Sequence, residues 1–268
     1  GNLQSFPRTK QTQNDSDSGL HEREKTMLCT VMIPTRNRSQ HLPGLIENIN
    51  NSLSDTNDVE IVFRADEDDT ATISYLESLN VPNVRHLVGP RGIGYSQLHV
   101  FYNEICESSD ADWFFLMNDD AKIHSIGWDK QLKEIKDHVV LEPRTSNGRG
   151  WQKGNIFPVM HRKFYETLGH FSVCNMNDCY VSNVASKVDL EKKVDFIEVF
   201  HPRGDWHDQT AQESALFQSH QFQDFGDCMR ENLPIDVEKL KNSVLVEQEL
   251  PERYVTNPDH PGWNPTIG

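Results

Sequence analysis

Short apolar runs alternate with amphipathic segments along the first half of the chain. Four runs have the length and composition of buried strands, at residues 27–33, 58–63, 84–88 and 113–117. Three segments between them carry apolar residues at helical spacing, which predicts helices at residues 39–49, 70–79 and 95–108. Pro34 is expected to end the first strand and Ser39 to cap the first helix. The order βαβαβαβ predicts an α/β fold with a mostly parallel sheet and helices on both faces.

The fourth apolar run ends on three polar residues, Asn118, Asp119 and Asp120. In open α/β sheets, ligands bind at the carboxyl ends of the strands. Adjacent carboxylates repel each other unless water or a cation neutralises them, and their hard oxygen atoms suit Mg²⁺ or Mn²⁺. A divalent-cation site is therefore one interpretation of this segment, and an acidic turn without a ligand is the other.

Three further segments carry candidate binding chemistry. A second acidic cluster, residues 66–69, follows the second strand, and the glycines of the turn at residues 89–94 let a ligand approach the backbone closely. The polar, Gly-rich loop at residues 146–154 contains Trp151, whose flat face suits an acceptor ring. An ordinary surface loop is the alternative there.

Charge and cysteine content exclude several classes of protein. Lysine and arginine number 26 against 41 acidic residues, a net charge of −15 that disfavours nonspecific binding to nucleic acid or anionic membranes. The cysteines number five and form no CxxC pair, which predicts neither a disulfide framework nor a zinc site. No apolar run reaches the roughly 18 residues of a membrane span, and no signal-peptide pattern is present. These features predict a cytoplasmic protein without an integral membrane segment.

Composition divides the chain into three parts. Residues 1–25 are polar and without apolar periodicity, which predicts a flexible N-terminal arm. Residues 26–226 hold the predicted strands and helices, in a first half at about 26–122 and a second half at about 123–226. Residues 227–268 are charged and interrupted by prolines, and are interpreted as a C-terminal extension of uncertain order.

The ordered motifs resemble the GT-A family of nucleotide-sugar-dependent glycosyltransferases, and most of all its family-two-like branch. The resemblance covers roughly residues 27–210. It depends on the segment VMIPTRNR at 31–38, the acidic cluster at 66–69, Arg91-Gly92 after the third strand, and Asn118-Asp119-Asp120 in place of the metal motif DXD. The sequence departs from the family at Asn118, where the first Asp of that motif is usual, and at Asn177, where Glu is common.

The resemblance implies a role for each matching residue. It implies a nucleotide-sugar site, with UDP favoured, made by Pro34, Thr35, Arg36, Asn37, Arg38, Asp66, Asp68, Arg91, Gly92, Asn118 and Asp119. It implies Mn²⁺ or Mg²⁺ held by Asp120 together with His201 or His207. It also implies that Asp178 is the base that deprotonates an acceptor hydroxyl, with inversion at the sugar. The implied partners are a nucleotide-sugar donor and a glycan or other hydroxyl acceptor.

Two other functions fit parts of the same pattern. A sugar-nucleotidyltransferase would use a similar sheet and acidic pair, but the loop after the first strand lacks the glycines that hold a triphosphate. A noncatalytic nucleotide- or glycan-binding protein would explain Asn118 and Asn177 as the remains of lost metal and base functions.

Overall fold

The computed structural model describes residues 27–202 and 209–254, and for residues 209–221 it describes the backbone alone. The predicted arm at residues 1–25 lies outside these ranges. Within them the strands are β1 Cys29–Thr35, β2 Val59–Asp66, β3 Val84–Gly89, β4 Trp113–Leu116, β5 Lys122–Ile123, β6 Val140–Ser146, β7 Val159–His161, β8 Glu191–Phe200 and β9 Arg253–Tyr254. The helices are α1 Leu42–Ser52, α2 Thr70–Ser78, α3 Leu98–Glu107, α4 Trp128–Glu134, α5 Arg162–Leu168, α6 Asn177–Ser186 and α7 Gln209–Lys241. A short 3-10 helix spans Val244–Glu247.

The described strands form one mostly parallel sheet, as predicted. Its order is β3-β2-β1-β4-β7-β6-β8-β5, with β9 added beside β8. Strands β3, β2, β1 and β4 are all parallel, so the four carboxyl ends lie along one edge. Strand β7 pairs antiparallel with both β4 and β6, which joins the second half of the chain to the first. The predicted order βαβαβαβ is confirmed.

Strand β4 lies in the middle of the core. All of its side chains are buried, and Phe114 and Phe115 are fully inaccessible. Phe115 meets Trp128 of α4 edge-on at 5.5 Å between ring centroids, and Phe114 meets Tyr165 of α5 in the same way at 5.3 Å. Because aromatic rings cover both sides of the strand, the residues that follow it are held at a defined place on the sheet edge.

The prediction that Pro34 ends the first strand is wrong. Strand β1 continues to Thr35, and Pro34 pairs in register with Arg64 of β2. The pairing of β1 with β4 stops at Met32, so beyond that residue β1 has a partner strand on one side only. A missing N–H on the open side costs no ladder hydrogen bond, which makes proline acceptable there.

Two predicted helix starts are also wrong. Helix α1 begins at Leu42 with His41 at its N-cap, so Ser39 belongs to the preceding turn. Helix α3 begins at Leu98 rather than at Tyr95. Proline at the first turn of α1 favours the observed start, because its fixed φ suits that position and no helix hydrogen bond is lost.

The later part of the chain differs most from expectation. Helix α7 runs without a break across residue 226, where the C-terminal extension was predicted to begin, and that division stays a prediction. A disulfide joins Cys174 to Cys228 of α7, a pairing that the cysteine pattern did not predict. The sequence did not indicate this disulfide because the two cysteines are 54 positions apart and meet only when α7 packs against the rest of the domain. No helix in the described ranges is long and apolar enough to cross a membrane.

Candidate functional site

A cavity of about 420 Å³ opens at the carboxyl ends of β1, β2 and β4. This is the size and the position expected of a small-molecule site in an open α/β sheet. Of the residues predicted from the sequence, it is lined by Pro34, Thr35, Arg36, Arg38, Asp66, Gly92, Asn118, Asp119, Asp120, Asp178 and His201. It is also lined by residues to which the sequence analysis gave no individual binding or catalytic role: Arg64, Gly94, Tyr95, Leu98, Phe101, Tyr102, Leu116, Ile156, Asn175, Met176 and Asn177.

The carboxylate of Asp66 is shared between two guanidinium groups. Arg64 Nη1 donates to Oδ1 at 2.5 Å, and Arg36 Nη1 donates to Oδ2 at 2.9 Å. The Gly92 N–H also points at Oδ1, at 3.4 Å. Both oxygens of Asp66 are therefore engaged by the protein itself. The residue holds two arginines at the cavity wall, which the sequence did not reveal.

Arg64 is almost completely buried beneath the cavity. Its guanidinium lies over the Phe101 ring at 3.7 Å, and its Nε donates to Glu104 at 2.9 Å. Gly89, the last residue of β3, and Gly92, in the turn that follows, make room for this arrangement. A Cβ at Gly89 would lie 2.7 Å from Arg64 Nη2, and one at Gly92 would lie 2.4 Å from Phe101 Cζ. The space that the glycines leave is thus filled by the protein's own side chains.

Three predicted binding residues are exposed and lie outside the cavity lining. Asp68 accepts from Arg36 at 2.6 Å, which lowers the pKa of Asp68 and raises that of Arg36. Arg91 pairs with Asp68 at 3.4 Å. Asn37 has a left-handed φ of 53°, and its N–H donates to Asp69 at 2.6 Å. Asn37, Asp68 and Arg91 are not among the cavity-lining residues, and their contacts fix the loops that are.

The polar residues after β4 reach the cavity and contact two other elements. Asp119 accepts a hydrogen bond from the Thr35 hydroxyl at 2.8 Å. Asp120 Oδ1 lies 3.4 Å from His201 Nε2, and Asn118 Nδ2 lies 3.4 Å from the same nitrogen. Burial alone would raise the pKa of Asp120, but His201 outweighs it and the pKa lies below the ordinary value. Asp120 is therefore held as a carboxylate.

Asp120 and His201 fit part of a divalent-cation site. A carboxylate oxygen and an imidazole nitrogen are both donors that Mn²⁺ accepts, and the two face each other across 3.4 Å. Across the ranges with described side chains, no group of three His, Cys, Asp or Glu residues is close enough to enclose a metal ion. His207, the other predicted ligand, lies outside the described residues. Phosphate oxygens and water would have to supply the remaining ligands.

Asp178 lies in the first turn of α6, on the cavity lining. Burial raises its pKa, and backbone N–H groups at the helix N-terminus oppose the rise. The buried Tyr102 donates to the Met117 carbonyl at 3.1 Å. Burial raises the pKa of Tyr102, and the charges of Asp178, Asp119 and Asp120 add to the rise. These three carboxylates line the same cavity, and Asp178, whose pKa is raised, is suited to accept a proton.

Trp151 does not line the cavity. One face of its ring is covered by the Arg144 guanidinium at 3.6 Å, and the side chain is 48% exposed. Its backbone forms a bridge with Ser146 at the end of β6, and the backbone N–H of His201 donates to the Ser146 carbonyl at 2.8 Å. The loop therefore starts next to His201, which lines the cavity, and returns to its own start at Trp151. The acceptor role of Trp151 stays a prediction.

Comparison with known proteins gives structural matches alone. No protein-family model and no curated protein matches the sequence. The mannosyltransferase PcManGT from Pyrobaculum calidifontis, solved with GDP-Man and Mn²⁺, superposes with a TM-score of 0.56 at 11% identity, covering 82% of this chain and 70% of its own. TarS 1-349 of S. aureus, solved with UDP-GlcNAc, superposes with a TM-score of 0.56 at 15% identity, covering 84% and 68%.

At these identities the likeness concerns the fold. The α/β fold with its mostly parallel sheet matches these structures. The chain therefore has the GT-A fold of nucleotide-sugar-dependent glycosyltransferases.

Proposed function

We propose that the protein transfers a sugar from a nucleoside diphosphate sugar to an acceptor hydroxyl. The observation that carries this proposal is that one cavity, at the carboxyl ends of the parallel strands, is lined both by two candidate cation ligands and by a candidate base. Asp120 and His201 are the proposed cation ligands, and Asp178 is the proposed base. The two structural neighbours bind GDP-Man and UDP-GlcNAc, and this supports a sugar nucleotide as the ligand here.

The donor site is proposed to lie in the half of the domain at about 26–122. Arg36 and Arg38, held beside the cavity, place positive charge where a diphosphate would lie. When bound by Asp120 and His201, Mn²⁺ or Mg²⁺ would supply Lewis-acid stabilisation of the charge that develops on the departing diphosphate. The predicted contacts of Pro34, Thr35, Asn118 and Asp119 with the nucleotide sugar belong to this proposal, because all four line the same cavity.

The acceptor site is proposed to lie in the half at about 123–226. Asp178 would take the proton of the acceptor hydroxyl as that oxygen attacks the anomeric carbon. Burial raises its pKa, which makes its carboxylate a stronger base than an exposed aspartate. Direct displacement of this kind inverts the anomeric configuration. The proposed acceptor is a glycan or another molecule with a free hydroxyl, with Trp151 as a candidate ring contact outside the cavity.

A noncatalytic nucleotide- or glycan-binding protein is the second candidate. It is favoured by one observation, that the residue at the first acidic position of the metal motif is Asn118. That amide contacts His201 instead of adding a charge to the site. Such a protein would bind the sugar nucleotide and leave it intact.

The disulfide changes the prediction of the cellular compartment. The cytoplasm was predicted in part from a cysteine pattern that indicated no disulfide framework, and the Cys174–Cys228 disulfide weakens that argument. A stable disulfide favours an oxidising compartment. Counting free thiols on protein isolated under alkylating conditions distinguishes the cytoplasm from an oxidising compartment.

Turnover of sugar nucleotides tests the proposal. The protein is incubated with UDP- and GDP-sugars, Mn²⁺ and a panel of hydroxyl acceptors, and nucleotide release and glycosylated product are measured. We expect product from wild type, none from Asp178→Asn, and normal product from Asp110→Asn, a control in which an exposed carboxylate is replaced. A product with retained configuration would contradict the role of Asp178, and binding without turnover would favour the second candidate.

A further inference from the structure

A buried carboxylate lies where α7 packs against α5 and α6. Asp236 of α7 is 2% exposed. It accepts a hydrogen bond from the Tyr180 hydroxyl, lies 3.0 Å from His170 Nε2, and accepts from Lys239 Nζ at 3.0 Å. Burial would raise the pKa of Asp236, but these donors hold it below the ordinary value. A fully surrounded charge of this kind holds the groups around it, because moving any of them would take one partner away from a buried carboxylate.

The Tyr180 hydroxyl connects this cluster to the cavity. Tyr180 is fully buried on α6, two positions after Asp178. The N-cap residue of α6, Met176, provides no side-chain hydrogen bond to the helix start. Within the first turn, the Asp178 carboxylate itself accepts from backbone N–H groups. The contact between Tyr180 and Asp236 adds a second attachment, from α6 to α7.

The Cys174–Cys228 disulfide attaches the same segment a second time. Cys174 precedes Asp178 by four positions, and Cys228 lies on α7, as Asp236 does. Asp178 thus lies on a short stretch of chain that is joined to α7 on both sides. Asp236 itself is not among the cavity-lining residues, so it acts on the cavity only through α6.

We propose that Asp236 and Tyr180 are positioning residues that hold the start of α6 so that Asp178 faces the cavity. This inference rests on the proposed function, since it assigns Asp178 as the base. A general base acts only at hydrogen-bond distance from its proton, and a displacement of about 1 Å can lower the rate by roughly a hundredfold. The donor half of the site does not depend on this contact.

Steady-state kinetics of Tyr180→Phe test the inference. The substitution removes one hydroxyl and leaves Asp236 with His170 and Lys239, so the fold is retained. We expect kcat to fall roughly 10- to 100-fold with the donor KM unchanged. Tyr165→Phe on α5 is the matched control, because the ring of that residue packs on Phe114, and we expect wild-type kinetics from it. A kcat for Tyr180→Phe within about twofold of wild type, or an equal change in kcat and donor KM, would overturn the inference.

Hydrogen exchange provides a readout that does not need activity. In Tyr180→Phe and in Asp236→Asn, we expect amides of residues 176–181 to lose protection while those of β1 and β4 keep theirs. Unchanged protection in both variants would overturn the inference. Absence of turnover by wild type with every donor would refute the proposed function instead, and the exchange result would then decide whether α7 orders the start of α6.

Discussion

Replacing Arg64 by methionine tests how much the buried guanidinium beneath the cavity stabilises the protein. The substitution keeps an apolar stem against Phe101 and removes the guanidinium. That group donates to Asp66 at 2.5 Å, to Glu104 at 2.9 Å and to the Pro90 carbonyl at 2.7 Å. Asp66 would keep its contact with Arg36, at 2.9 Å. It would stay buried with one of its two guanidinium partners removed.

The expected cost follows from burial. Arg64 is 1% exposed, and removing one partner of a buried ion pair costs about 3–5 kcal/mol. Arg85→Met is the matched control, since Arg85 pairs with Glu60 at 2.7 Å but has a side chain that is 34% exposed. Partly exposed pairs contribute about 1 kcal/mol or less.

Urea unfolding followed by circular dichroism measures both variants against wild type. With a slope of about 2–3 kcal/mol per molar urea, the Arg64→Met midpoint should fall by about 1–2.5 M. The Arg85→Met midpoint should fall by less than about 0.5 M. Equal midpoints for the two variants would refute the reasoning, because they would show that the buried guanidinium contributes no more than a partly exposed one.

Three further predictions concern the base, the disulfide and a glycine. Because burial raises the pKa of Asp178, the charged form of Asp178 lowers the stability of the protein once the pH exceeds that pKa. At neutral pH, Asp178→Asn should therefore unfold at a higher urea concentration than wild type while losing turnover. The kcat/KM of wild type should fall on acidification at a pH above the ordinary range for aspartate. Cys174→Ser opens a disulfide whose cysteines, Cys174 and Cys228, are 54 positions apart, and should lower the unfolding free energy by about 4 kcal/mol; an unchanged urea midpoint would contradict the disulfide. A Cβ at Gly92 would lie 2.4 Å from an aromatic ring of α3, so Gly92→Ala should destabilise the protein by about 1–3 kcal/mol. A Cβ at Gly44 would meet nothing within 4 Å, so Gly44→Ala should leave the stability unchanged. Thermal unfolding compares the two variants.

The sequence predicted the features that depend on local pattern. The apolar run at residues 113–117, followed by Asp119 and Asp120, correctly indicated a buried strand with acidic residues at the sheet edge. Periodicity gave the order of the first seven elements because each of them buries one face or both in a single core. Pro34 was misplaced because its effect depends on where β4 stops pairing, which is a property of the assembled sheet.

The missed features depend on contacts between distant segments. Arg64 looked like a polar residue at the end of a strand, although the alternation of side chains along a strand puts it on the same face as Asp66, and that signal could have indicated the pair. The pairing of Cys174 with Cys228, and of Tyr180 with Asp236, joins positions more than fifty residues apart. No single sequence shows which of many such pairs will meet.

Calorimetric titration of UDP and GDP tests the proposed donor site most directly. Each nucleotide is titrated into wild type and Asp120→Ala, first with Mn²⁺ and then with EDTA. The proposed site predicts that wild type binds at least one nucleotide with Mn²⁺, and that both EDTA and Asp120→Ala weaken this binding severely. Binding that is indifferent to Mn²⁺ and to Asp120 would contradict the proposed cation ligands, and failure of both nucleotides to bind wild type would contradict the donor site itself.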